Sequence, residues 1–414
     1  MSASVAAVTS DTPLANAEVL LARQPIFDVD LQVHGYELLY RSIGHDSAAF
    51  DDADAASAEV ITSGFMDIGL DRIVENKLAY INVSQEFLAS GEPKALPVDR
   101  VALEFPGTGP FDDEFLAILD EYRDEGYRLV VDGIEVTPET LPVIGRVHAV
   151  KIDVFALGLE EALRQVELLQ PLKREIIATR VESEEESAAL EALGVNYLQG
   201  FFFAKPRVVS GTRVGSNKLT TLRLLASLYD PEAQVNEISA LIGQDAGLSY
   251  KLMRFINSAA LSLPGKVDSI RRAVVFMGLS ALKRWASLIV VASVDDKPSE
   301  LTRTLLVRAR LCERLCTESG NEDSGAAFTV GLFSGLDALL DQPLVEALAE
   351  LPLAPELTQA LLEGEGVFGE ALACALAYER GEWMDLKFAQ LSAPTIGALY
   401  EESLEWAGEA MQGV

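Results

Sequence analysis

Two kinds of hydrophobic patterning divide the chain. Up to about Pro206, short runs rich in β-branched and aromatic residues alternate with stretches of helical spacing; the runs are 19–25, 34–41, 78–84, 100–106, 127–134, 147–155, 175–181 and 197–203. Eight strands with helices between them predict a β/α barrel of the TIM type. The first two runs are joined by Asp28-Val29-Asp30-Leu31-Gln32, too short for a parallel crossover, so they should form an antiparallel hairpin. One helix start is legible: Ser183 with Glu186 forms a capping box, Ala189, Leu190 and Leu193 give the apolar face, and Gly194 stops the element. A barrel of this kind takes roughly 250 residues, more than the segment before Pro206 supplies, so some helices must be trimmed or missing.

After the polar stretch Arg207-Val208-Val209-Ser210-Gly211-Thr212 the pattern is helical only. Leu219, Leu222, Leu225 and Ala226 mark one apolar face; Ile238, Leu241 and Ile242 a second; Leu248, Leu252, Met253 and Ile256 a third. The chain therefore divides into a leader (1–18), a shortened β/α barrel (19–207), a linker (208–215) and an all-helical domain (216–414). The fold class is α/β plus all-α.

Charge narrows the choice of partners. With 33 basic and 64 acidic residues the formal net charge is −31, which repels phosphate backbones and anionic lipid surfaces and argues against nucleic-acid or membrane partners. Met1 to Glu18 has no basic residue ahead of its apolar patches, as a secretory signal would, and the longest apolar stretch, around Trp285 to Val294, is too short to span a bilayer. Cys312, Cys316 and Cys374 sit in Leu- and Ala-rich segments without metal-binding spacing and read as reduced core thiols. A cytoplasmic protein is expected.

Barrel chemistry is carried at the carboxyl ends of the strands, which here bear Glu37, Asn82, Glu104, Asp132, Lys151 and Gln199. Converging carboxylates with an amide suit Mg²⁺ or Mn²⁺, and a lysine among them could contact a phosphate or position water. Polar strand ends serve equally as turn formers, and buried, hydrogen-bonded structural roles fit the same residues.

A resemblance sharpens this reading. Arg23-Gln24-Pro25-Ile26-Phe27, Gly35-Tyr36-Glu37-Leu38-Leu39-Tyr40-Arg41, Ile81-Asn82-Val83-Ser84, Leu103-Glu104-Phe105, Val130-Val131-Asp132-Gly133, Val150-Lys151-Ile152-Asp153, Ala178-Thr179-Arg180-Val181-Glu182 and Gln199-Gly200-Phe201-Phe202-Phe203-Ala204-Lys205-Pro206 resemble the ordered motifs of EAL domains, cyclic di-GMP phosphodiesterases built on a β/α barrel. The resemblance implies that Glu37, Asn82, Glu104 and Asp132 are metal ligands, that Lys151 and Gln199 are catalytic-site residues, and that Gln24, Glu37, Leu39 and Arg41 touch the nucleotide. The departures are Gly133, where the family has a second aspartate, and Thr179-Arg180, where it has Glu-Gly. Two oxygen ligands are lost and a guanidinium is added, which should empty the second of two metal sites. On this reading the metal cluster, Lys151 and Gln199 are vestigial and no cofactor is expected, with Mg²⁺ or Mn²⁺ only if the site still functions.

In the second half, Gln244 to Ala259 and Ser269 to Gly278 resemble the HDOD domain, an all-helical relative of HD-type phosphohydrolases. His34, His45 and His148 are the only histidines and all lie in the first half, so HD-type metal chemistry is excluded from the second. Asn257 and Ser258 fit a helix cap and turn better than a binding site. Together the halves resemble the EAL–HDOD bacterial signalling proteins, in which the barrel is often inactive. The expectation is a catalytically inactive regulator in cyclic di-GMP-related, motility or biofilm signalling, working through contacts with a signalling protein the sequence does not identify; a homodimer is left open. The alternatives are a cyclic di-GMP receptor that does not cleave its ligand, and a weak phosphodiesterase.

Overall fold

A computed structural model describes residues 19–42, 70–200, 298–321, 324–349, 351 and 353–413, with positions 275, 276, 278 and 282. The linker and nearly all of the HDOD-like motif segments, with Asn257 and Ser258, lie outside the described residues.

Eight strands close into one barrel in sequence order. They are β1 (Val19–Asp28), β2 (Val33–Ser42), β3 (Leu78–Asn82), β4 (Val101–Pro106), β5 (Arg128–Asp132), β6 (Ala149–Asp153), β7 (Glu175–Thr179) and β8 (Tyr197–Leu198). β1 is antiparallel to both β2 and β8, and every other neighbouring pair is parallel. The short connection after Asp28 makes the expected hairpin, its turn held by Asp28, whose carboxylate accepts from the amides of Asp30 and Gln32 at 3.0 and 2.9 Å. The sixth strand is shorter than its hydrophobic run because Asp153 accepts from the Ala156 amide at 2.9 Å and starts a helical turn there.

The helices of the barrel are uneven in length, in keeping with its shortness. They are α1 (Leu70–Val74), α2 (Gln85–Ser90), α3 (Asp113–Asp124), α4 (Leu141–Ile144), α5 (Val154–Leu157), α6 (Leu159–Leu169) and α7 (Glu184–Ala192). α3 starts at the side chain of Asp112, which accepts from the Phe115 amide, and buries Phe115, Leu119 and Tyr122. α7 opens on the Ser183–Glu186 capping box read from the sequence.

From Pro298 onward the described chain is helical: α8 (Ser299–Glu318), α9 (Ser324–Phe333), α10 (Leu336–Leu340), α11 (Leu344–Ala349), α12 (Pro355–Leu362), α13 (Gly366–Arg380) and α14 (Ala393–Gly413). A buried ion pair ties three of these helices. Arg308 of α8 reaches Glu379 of α13 at 2.7 Å and donates to the Ser334 hydroxyl, just past α9, at 2.8 Å. Cys312, Cys316 and Cys374 are all buried. No described helix is long and apolar enough to cross a membrane.

The two halves share one core. Leu20, Ala22, Tyr36 and Leu38 of the first hairpin belong to the same apolar cluster as Leu301, Leu305, Tyr378, Ile396 and Tyr400. α13 and α14 pack on β1, and the Tyr378 hydroxyl donates to the Leu21 carbonyl at 3.1 Å.

Candidate functional site

Strand alternation builds the site in two layers. Ile26, Tyr80, Ala102, Val130, Ala149 and Ile177 point inward as an apolar plug, with Tyr197 packed against it. Side chains along a strand return to the same face every second residue. Two positions further toward the carboxyl ends, β3 to β7 therefore present Asn82, Glu104, Asp132, Lys151 and Thr179, and Gln199 follows Tyr197 in the same way. Gln24 and Glu37, partners across the antiparallel pair, complete the ring from β1 and β2.

Glu37 is the hub. Its Oε1 accepts from Asn82 Nδ2 at 2.9 Å, and its Oε2 accepts from both Lys151 Nζ and Gln199 Nε2 at 2.7 Å. Lys151 Nζ also lies 2.6 Å from Glu104 Oε2. Gln199 Nε2 is 3.5 Å from Gln24 Oε1, so Gln24 borders the cluster.

The shared lysine divides the carboxyls unequally. Burial alone would raise the Glu37 carboxyl, but the Lys151 charge and three donated hydrogen bonds outweigh it and hold Glu37 below its usual range. Burial pushes Glu104 up to about 8; Lys151 opposes this, while Glu37 and Asp132 add to it. Asp132 is raised by burial as well, against the pull of Lys151. Lys151 is itself raised, because Glu104 and Glu37 overcome the effect of burial, and stays an ammonium.

Of the nucleotide-facing residues expected from sequence, Gln24 and Glu37 join this cluster. Leu39 and Arg41 sit further along β2 against the helical half. Leu39 packs beside Gly381, and Arg41 Nη1 meets Met384 Sδ at 3.1 Å. Three departures from the motif series border the ring. Arg180 pairs with Asp153, with Nε 2.7 Å from Asp153 Oδ1, and its charge also reaches Asp132. The Thr179 hydroxyl donates to the Ile152 carbonyl at 3.3 Å. Gly133 adopts φ +68° and leaves the Asp132 side chain in the ring. Tyr40, whose hydroxyl donates to the Asn82 carbonyl, escaped sequence reasoning because alternation places it on the opposite face from Glu37.

Among the described residues no group of three or more His, Cys, Asp or Glu is placed to hold a metal ion, since Lys151 stands between Glu37 and Glu104. The donor chemistry nevertheless fits one hard divalent cation: Glu37, Asn82, Glu104 and Asp132 offer oxygen alone, and Glu104 Oε1 is buried without a hydrogen-bond partner. Three carboxyls share a single ammonium. Among the described residues a second ion has no comparable set, because Gly133 brings no oxygen and Thr179 is engaged with backbone.

Profiles of two families match the chain: the EAL domain over residues 82–206 and the HDOD domain over residues 218–348. The chain is 33% identical over 373 residues to the cyclic di-GMP phosphodiesterase CdgJ of Vibrio cholerae, covering 89% of this chain and 86% of CdgJ. It is 26% identical over 404 residues to the uncharacterized protein YuxH of Bacillus subtilis, covering 95% of this chain and 99% of YuxH. Among solved structures, the calcium and cyclic di-GMP complex of BlrP1 from Klebsiella pneumoniae aligns with a TM-score of 0.37 at 20% identity, over 48% of this chain and 58% of that one. The expectation of a chain without enzymatic activity is corrected by CdgJ, a relative over most of its length that is named an enzyme. The substitutions at Gly133, Thr179 and Arg180 leave the Glu37–Lys151–Glu104 cluster assembled, and the guanidinium of Arg180 is paired with Asp153. With both domain profiles matched in order and a relative of this extent, the chain belongs to the EAL–HDOD family of two-domain proteins.

Proposed function

We propose that the barrel is a phosphodiesterase acting on cyclic di-GMP, with one Mg²⁺ or Mn²⁺ held by Glu37, Asn82, Glu104 and Asp132. When bound, such an ion supplies Lewis-acid polarisation of a phosphoryl oxygen. The chain's own residues do the rest. Lys151, kept protonated by its two carboxylates, presents positive charge to the phosphodiester and offsets the charge that develops on its oxygens. Gln199 and Asn82 fix both oxygens of Glu37, so the carboxylate does not have to reorganise during the reaction. Beyond them along β2, Leu39 and Arg41 offer an apolar contact and a cation to the nucleotide. The loss of oxygens at Gly133 and Thr179 makes turnover slow.

The observation that carries this reading is the Glu37 hub, a buried carboxylate bound at once by Asn82, Lys151 and Gln199 at the carboxyl end of the barrel, in a chain related over most of its length to a named phosphodiesterase. The test is incubation of the purified full chain with cyclic di-GMP and Mg²⁺ or Mn²⁺, with chromatography of the linear dinucleotide. Product formation that Glu37→Ala reduces to background supports the reading. Binding of the nucleotide without product under either metal overturns it in favour of a receptor.

A further inference from the structure

Gln24 and Glu37 lie on the two strands whose outer faces are held by the helical half. Directly behind Glu37, its neighbour Tyr36 faces out of the barrel and donates to Glu300 Oε2 of α8 at 3.0 Å. Behind Gln24, its neighbour Arg23 lays its guanidinium over the Tyr36 ring at 4.2 Å. Tyr36 and Arg23 are 2% and 8% exposed and Glu300 is 6% exposed, so this layer is closed to solvent. A side chain fixed on one face of a strand fixes the backbone from which its neighbour projects to the other face.

A cavity of about 50 Å³ continues the contact toward the site, lined by Gln24, Gln199, Gly200, Glu300, Arg303 and Tyr400 among others. That is room for one or two waters, at roughly 30 Å³ each. Two lining residues carry buried polar atoms without partners: Gln199 Oε1, an acceptor, and Arg303 Nε, a donor. The amide of Gln199 gives its nitrogen to Glu37. A flipped amide would set oxygen against the carboxylate, so a donor on the cavity side selects the productive orientation.

We propose that Glu300 and Arg303 of the helical half are positioning residues for the barrel site, Glu300 through Tyr36 and Arg303 through a water bridge to Gln199, so that docking of the helices sets the geometry of Glu37. The inference rests on the phosphodiesterase reading where turnover is concerned.

The test uses the full chain with Tyr36→Phe, which removes only the hydroxyl, and Arg303→Met, with Tyr122→Phe as a barrel control remote from the contact. Hydrogen exchange, followed by mass spectrometry without nucleotide or metal, should accelerate about ten-fold over residues 33–42 in the first variant and 195–200 in the second, and in neither segment for the control. In an active wild type both variants should lower kcat about ten-fold with KM for cyclic di-GMP within two-fold, as expected for misplacement rather than lost binding. Accelerated exchange in a chain with no turnover sinks the phosphodiesterase reading and leaves this inference standing. Unchanged exchange in these segments, or unchanged kcat in an active wild type, overturns it.

Discussion

The ammonium of Lys151 lies 2.6 Å from Glu104 Oε2, and each side chain is 1% exposed. Removing one partner of such a pair strands the other as an uncompensated buried charge. Lys151→Met is therefore expected to destabilise the protein by about 3–5 kcal/mol at pH 8. At pH 5 the loss should be smaller, because Glu37, which Lys151 holds ionised, can then be neutralised by a proton when its partner is gone. Urea unfolding at both pH values with a chelator present checks this; an equal loss at the two would contradict it.

The wild type carries a pH signature of its own. Glu104 is pushed from 4.5 up to about 8, with burial the largest cause. Between those values the folded state keeps a proton that the unfolded chain releases, so the contribution of Glu104 to stability is present at low pH and is lost as pH rises toward 8. In metal-free protein the unfolding free energy of the wild type should fall relative to that of Glu104→Gln across this window. Parallel curves for the two proteins would show that Glu104 titrates at an ordinary carboxylate value.

Gly133 offers a gain. It has φ +68°, and a Cβ there would meet no atom within 4 Å. Gly133→Asp should fold at a cost of about 1–2 kcal/mol for the left-handed backbone, while adding a carboxylate beside Asp132. Mn²⁺ affinity, titrated calorimetrically, should rise; a folded variant with unchanged affinity would mean that the new side chain points away from the ring.

Gly200 behaves oppositely. A Cβ at this position would overlap the backbone of Val181, and Gly200 follows Gln199 directly. Gly200→Ala should cost about 3 kcal/mol or more and lower turnover by displacing the Gln199 amide from Glu37. A variant with wild-type melting and activity would show that the Val181 segment yields easily.

The shared core predicts that the barrel does not stand alone. A fragment ending at Ser210 would expose Leu20, Tyr36 and Leu38, which are buried in the full chain in the cluster shared with α8, α13 and α14. Expressed separately it should aggregate or bind a hydrophobic dye strongly, and a soluble, monomeric fragment would be the contrary result.

The strands and the first hairpin were legible because β-branched runs and a five-residue connection leave little choice of topology. The ring from Asn82 to Gln199 was legible for the same reason, since a period of two places one polar residue above each apolar plug residue. What pattern could not carry was pairing between distant segments. Arg180 reads as an intruding charge until Asp153, 27 residues earlier, is seen to take it. Tyr36 and Glu300 are separated by 264 positions, and nothing in the local spacing of either announces the other. Arg41, similarly, meets Met384, 343 positions later, in the turn that follows α13.

The barrel closes where β8 meets β1 through just two residue pairs, Phe27 with Leu198 and Asp28 with Tyr197. β8 meets β7 through two pairs as well, Ile177 with Tyr197 and Ala178 with Leu198, so this two-residue strand is held on both edges by the shortest seams of the barrel and parts first under thermal agitation. Gln199 is the next residue past that strand. Opening of that strand would withdraw the amide from Glu37 while Asn82 and Lys151 keep their hold, so the cylinder carries its own release point beside its most heavily bonded carboxylate.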